Sequence, residues 1–370
     1  MRNIFILLVV LVFSFELTAQ RVELDLSKSI RIASDSSLQA FINQNLYLSS
    51  YWQFRSFKAG RLPSVTLKMT PIQYNRDFTK RYDSEQDIDI YRQQQSLYSR
   101  GNLSISQNFD LTGGTFFIDS ELGYMRNIGD NKYTQFNTVP IRVGYHQSLF
   151  GFNSFKWEKK IEPLKYEKAE KQFLYAREQI SESVITYFFS LAMARLEYDM
   201  AHRTVLTSDT LYQIGQKRQE IASISREDLL TLKLDVVNAR NSLSNSEITL
   251  KRSMFSFSSY LNLPGETNIS LDLPDRPEVI MISPDLALQY AQENNPNYYG
   301  YKQQILEAER EVDRTKKSSN FDASVSLSVG FNQAGSTFKD AYRKPLQQDL
   351  VSIGLTIPLL DWGVRRGRAN

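Results

Sequence analysis

Over residues 155–212 apolar side chains recur every three or four positions: Phe173, Ile180, Tyr187, Ala194 and Ala201 stand seven apart, and Val184, Leu191, Tyr198, Val205 and Tyr212 fill the intervals. A stripe of that period is one face of an α-helix. At 1.5 Å per residue the helix would be roughly 85 Å long, more than the core of a compact domain can use. A second stripe follows: Leu229, Leu232, Val236, Ala239, Leu243, Ser246, Leu250, Ser253, Phe257 and Tyr260 keep three-four spacing up to Leu263-Pro264-Gly265. The expectation is an antiparallel coiled-coil hairpin projecting from the rest of the chain. Small seam residues such as Ala194, Ala201, Ser246 and Ser253 suit close packing or a wetted inner face.

A different period flanks this hairpin. In 321–332, Phe321, Ala323, Val325, Leu327, Val329 and Phe331 alternate without a break with Asp322, Ser324, Ser326, Ser328, Gly330 and Asn332. Val351, Ile353, Leu355 and Ile357 alternate with Ser352, Gly354 and Thr356, and Val139, Ile141, Val143 and Tyr145 with Arg142, Gly144 and His146. Leu103-Ile105 and Phe116-Ile118-Leu122-Tyr124 repeat the pattern around the turn Thr112-Gly113-Gly114, while Val65, Leu67 and Met69 add a shorter case. Strands of about 9 to 11 residues, apolar on one side and polar on the other, suit a transmembrane β-barrel. A soluble sandwich alternates in the same way. The 20 tyrosines and 22 phenylalanines fit aromatic girdles, and the polar stretches 74–98 and 333–348 read as long loops outside a membrane. Val325, Leu327, Val329, Ile353 and Leu355 are then the lipid-facing side chains.

The chain opens with Met1-Arg2-Asn3, an apolar run over 4–15 and Leu17-Thr18-Ala19-Gln20. That run is too short to span a bilayer as a helix and reads as an export signal. Cysteine is absent, which removes disulfides, thiolate chemistry and a lipid-bearing cysteine. A net charge of +3 set against 85 charged side chains gives no basic footprint for nucleic acid. Two histidines, His146 and His202, have no partner pattern, and no His-Glu helix pair, nucleophile elbow or phosphate loop appears. No catalytic, cofactor or metal residues are expected, and the chain is not expected to be an enzyme. Glu227 and Asp228 read as helix N-terminal charges following a cap at Ser225.

The order helix, strand, strand, helix occurs twice. The first copy opens at Leu24-Asp25-Leu26 and the second at Ser283-Pro284-Asp285-Leu286. Ile141-Arg142-Val143-Gly144-Tyr145-His146-Gln147 lies over Val351-Ser352-Ile353-Gly354-Leu355-Thr356-Ile357, glycine at the fourth place in both. The expected organisation is a signal at 1–20; a periplasmic helix at 21–61; first-copy strands at 62–151 with an extra hairpin at 103–125; the long hairpin at 152–263; a linker and second-copy helix at 264–319; second-copy strands at 320–363; and the start of a further helix at 364–370. The second copy, lacking a hairpin of its own, reads as incomplete.

These tandem copies resemble the TolC-like outer-membrane efflux family across nearly the whole mature chain. The resemblance is carried by the strand exits Gln147-Ser148-Leu149-Phe150-Gly151 and Ile357-Pro358-Leu359-Leu360-Asp361-Trp362-Gly363, and by a hairpin turn with Ser223, Ser225, Asp228, Leu229 and Leu230. It departs from the family at Ala222, where glycine is usual. The resemblance implies a passive exit duct: a homotrimer with four strands per subunit in one barrel in outer-membrane lipid, helices in the periplasm, and a periplasmic adaptor and inner-membrane transporter as partners. The adaptor would dock at the helical tip, at Gly215, Ile221, Ala222, Ser223 and Asp228. The competing readings are the periplasmic adaptor itself, which places one hairpin between soluble β-modules, and another outer-membrane structural or binding barrel.

Overall fold

A computed structural model describes residues 21–83, 87–128, 132–264, 267–276, 280–318, 321–357, 360, 362–363 and 367. The export signal, residues 358, 359 and 361 of the second strand exit, and nearly all of 364–370 lie outside the described residues. The elements run β1 (Arg21–Leu24), α1 (Leu26–Ser36), α2 (Leu38–Ala59), β2 (Ser64–Asp83), β3 (Ile88–Asn108), β4 (Thr115–Asn127), β5 (Tyr133–Ser148), α3 (Ser154–Glu220), α4 (Arg226–Tyr260), β6 (Asn268–Leu271), α5 (Pro284–Asn294), α6 (Pro296–Ser318), β7 (Asp322–Gly335), α7 (Asp340–Arg343) and β8 (Leu346–Thr356). The chain divides into two compact units, Met1–Ser49 with Ala169–Pro296, and Ser50–Lys168 with Asn297–Asn370.

The first unit is helical apart from one parallel pair, β1 against β6. Asp25 caps α1, its Oδ1 accepting from the Lys28 N–H at 2.6 Å. Leu24, Ala33, Phe188, Leu191, Phe257 and Ile269 are almost fully buried together, so β1, α1, α3, α4 and β6 share one core. The α4 stripe lies as its spacing predicts, every one of its ten positions buried or half-buried. On α3 the buried seam leaves the stripe at one position. Phe188 is fully buried, whereas Tyr187 is half-exposed and meets the Tyr260 ring at 4.9 Å. The stripe resumes at Leu191 and Ala194, both buried, so the departure is local. The helix itself is longer than the stripe, 67 residues or about 100 Å.

The internal repeat is sharper in space than in sequence. Each copy opens with an 11-residue helix followed, after one extended residue, by a helix of 22 or 23. In the first copy Ser37 makes the break and caps α2 through its hydroxyl, which accepts from the Ala40 N–H at 3.1 Å. In the second Asn295 makes it, held extended by Pro296.

The second unit carries one antiparallel sheet in the order β2-β3-β4-β5-β7-β8. The stretch 74–98 is not a loop: β2 and β3 form a ladder from Ser64↔Ser106 to Asp83↔Ile88. Pairing satisfies the backbone whatever the side chains, and polar residues such as Gln93, Gln94 and Gln95 are tolerated wherever a ribbon meets water. Likewise 333–348 shrinks to 336–345 and contains α7. The segments at 103–105 and 116–124 belong to β3 and β4, which pair with each other and, through β2 and β5, with the common sheet. Both strand prolines sit at irregularities, Pro71 where β2 shifts register between Thr70 and Gln73, and Pro140 where β5 shifts between Thr138 and Ile141. Proline lacks the ladder donor, and a bulge is where that donor is not needed.

Candidate pore wall and helical tip

Register assigns the faces of the sheet. Val325 stands opposite Ile353, Ala323 opposite Leu355 and Leu327 opposite Val351, so the five predicted lipid-facing residues share one face with Val351. That face continues through Val143↔Val329 and Ile118↔Val143. It is left open: Ile353 is 74% exposed, Val351 71%, Leu355 59%, Val329 57% and Leu327 43%. Towards one end the β7–β8 connection folds over it, with Phe338 against Phe136 at 6.2 Å and the buried Thr138 hydroxyl donating to the Ala341 carbonyl.

The opposite face is polar and carries a charged network that alternation alone did not reveal. Arg142 on β5 forks onto Asp119 of β4, Nε to Oδ1 at 3.0 Å and Nη2 to Oδ2 at 2.5 Å, and Asn102 of β3 donates to the same carboxylate at 3.3 Å. Arg100 and Glu121 pair nearby at 3.3 Å. A forked guanidinium with a further donor answers most of a carboxylate's lone pairs, which suits Asp119, buried to 7% side-chain exposure. The register Asp119↔Arg142 is the signal, and it needs knowledge of which strands are neighbours. His146 lies on this polar face, its Nδ1 2.9 Å from the Ser326 hydroxyl. At Gly330 a side chain would strike the Ile141 carbonyl oxygen at 2.6 Å, so the backbone approach beside the β5 bulge requires glycine.

At the far end of the helical hairpin, α3 closes with a Schellman motif: the Ala222 N–H donates to the Gln219 carbonyl at 2.9 Å and the Ser223 N–H to that of Arg218 at 2.8 Å. Ala222 holds φ 54°, the left-handed geometry that glycine adopts without a Cβ penalty. Ser225 starts α4 with a capping box, its hydroxyl accepting from the Asp228 N–H at 3.0 Å while Asp228 accepts from the Ser225 N–H at 3.2 Å.

Two of the predicted docking residues also hold the tip together. Gly215 is buried, and a Cβ there would meet Leu232 Cδ1 at 2.6 Å and Leu229 Cδ1 at 3.2 Å. It lets the two helices approach and presents no surface. The Asp228 carboxylate is committed to the cap. Ile221, 73% exposed, together with Ala222 and Ser223 forms the exposed part of the turn.

No helix among the described residues is long and apolar enough to cross a membrane. No protein-family model and no curated protein matches the chain. Solved structures do. It is similar to a membrane protein from Pseudomonas aeruginosa, with 14% identity and TM-score 0.63 over 95% of this chain and 68% of that one. It is similar also to the outer membrane protein VceC of Vibrio cholerae, 13% and 0.61 over 93% and 71%, and to the CmeC outer membrane channel of Campylobacter jejuni, 11% and 0.62 over 93% and 63%. Its elements are long helices joined to one antiparallel sheet with an open apolar face and a charged polar one, and they follow the course of those channels along nearly the whole chain: this protein has the TolC-like outer-membrane channel fold.

Proposed function

We propose that the chain is the outer-membrane component of a tripartite efflux or type I secretion system, exported by its N-terminal signal and working as a passive homotrimeric duct. One observation carries the proposal: the sheet leaves its apolar face open and lines its other face with Asp119, Arg142, Asn102, Arg100 and Glu121. A soluble sandwich would bury the first face against a second sheet. A barrel wall places it in lipid and turns the charged face to water. The adaptor reading needs soluble β-modules, and an apolar row at 43 to 74% exposure would not remain open in one.

The helical hairpin extends the path into the periplasm, and Ile221, Ala222 and Ser223 are where a periplasmic adaptor would meet it. The inner-membrane transporter supplies the driving force, and this chain supplies a polar route through lipid without a cofactor. Expression with its own leader in a Gram-negative host tests the reading. The protein should sediment with the outer membrane, resist carbonate washing and leave it only in detergent. Recovery as a detergent-free soluble protein overturns the proposal.

A further inference from the structure

The geometry points to a barrel built from six strands per subunit, closed between copies by β8 of one chain against β2 of the next, eighteen strands in a trimer. This rests on the channel reading above and sets the width and seam of the channel. Every neighbouring pair in β2-β3-β4-β5-β7-β8 is antiparallel, so with six strands the two edges run in opposite directions. Laying β8 of one copy beside β2 of another therefore continues the same meander. Both edges present unpaired backbone groups, which hydrocarbon does not tolerate. Six strands cannot close around water alone, since the smallest spanning barrels have eight. A head-to-tail contact that closes a ring satisfies every edge.

Two observations place β2 and β3 in the wall and not beside it. First, one apolar row crosses five strands without interruption: Val65↔Ile105, Ile105↔Ile118, Ile118↔Val143 and Val143↔Val329. A ribbon standing free in water has no need of Val65 and Ile105 on that row. Second, the β3–β4 turn is tied to the roots of both flanking segments. Asp110 pairs with Arg61, which leads into β2, at 2.6 Å, and its carbonyl accepts from Asn153 at 2.9 Å. Asn153 in turn caps α3 by accepting from the Lys156 N–H at 3.1 Å, and Gln107 donates to the Arg61 carbonyl at 2.9 Å. The start of β2, the β3–β4 turn and the chain leaving β5 are thus held together at one level. Barrel diameter grows roughly linearly with strand number, so eighteen strands give a lumen about one and a half times as wide as twelve.

The chain has no cysteine, so introduced thiols are unique. Thr66→Cys on the polar face of β2 is combined in turn with Leu350→Cys, Ser352→Cys or Thr356→Cys on the polar face of β8, and membranes are oxidised. Ser326→Cys with Ser352→Cys, directly opposite within one chain, is the control and should run as a monomer. The expected result is a shift of at least one β2–β8 combination to covalent dimers and trimers and nothing larger. Outer-membrane protein in which those β8 thiols join Glu121→Cys on β4 or each other, or in which only the control forms, overturns the six-strand wall and leaves the channel reading standing. Control disulfide in a fully soluble chain overturns the channel reading itself.

Discussion

Ala222 is the residue at which sequence and geometry disagree most plainly. A left-handed φ of 54° costs an L-residue roughly 1 kcal/mol that glycine escapes. Ala222→Gly should therefore stabilise the turn by about that amount, read as slower protease nicking at 221–225 in the detergent-extracted protein; faster nicking would show that the turn is not strained there. In the second unit, Asp313 of α6 accepts from the Trp157 indole at 2.9 Å and from Lys317 at 3.1 Å. Burial pushes its carboxyl up, but the hydrogen bonds from Trp157 and Lys317, with the positive charges of Lys317 and Lys156, outweigh burial and hold it below the usual range. A lowered native pKa contributes stability in full above the unfolded value and loses it as the pH falls through the native one. Asp313→Asn should accordingly unfold more easily than the parent at neutral pH, with the difference shrinking below about pH 4. A pH-independent difference in melting temperature would contradict this. Neither the Trp157 contact nor the Asp119–Arg142 fork was legible beforehand, because their partners are 156 and 23 residues apart along the chain.

At the scale of elements, the periods were legible and the boundaries were not. The strand at 321–332 and the α4 stripe could be placed residue by residue, since alternation and three-four spacing follow directly from backbone geometry. The outer parts of β2 and β3 carry little alternation; cross-strand pairing holds them extended, and only the paired structure reveals it. On the apolar face, Leu327→Arg should block membrane assembly at a cost of about 2 to 4 kcal/mol near the midplane. Ser352→Arg, exposed on the polar face of β8, is the comparison. Equal yields of assembled protein from both variants would show that neither face meets lipid. The tip offers a third substitution. Ile221→Arg alters an exposed side chain outside both the Schellman motif's hydrogen bonds and the capping box, so export should fall while assembly and thermal stability stay unchanged. Unimpaired export would remove Ile221 from the docking surface.

For the whole molecule, two observations set it apart from a self-contained globule: an apolar sheet face left open, and helices that expose apolar residues as large as Phe41, Trp52, Phe189 and Phe255. Sequence alone established that the chain combines two-sided ribbons with rods too long for a globule, because each period is a local property of the backbone. The number of strands in the sheet, the neighbour of each strand and the charged network between them came from register. Register joins β5 to β7, with His146 and Ser326 180 residues apart, and no local pattern encodes it. It is set by which pairing gathers most apolar side chains on one face while leaving no interior strand unpaired, a condition the sheet meets only as a whole.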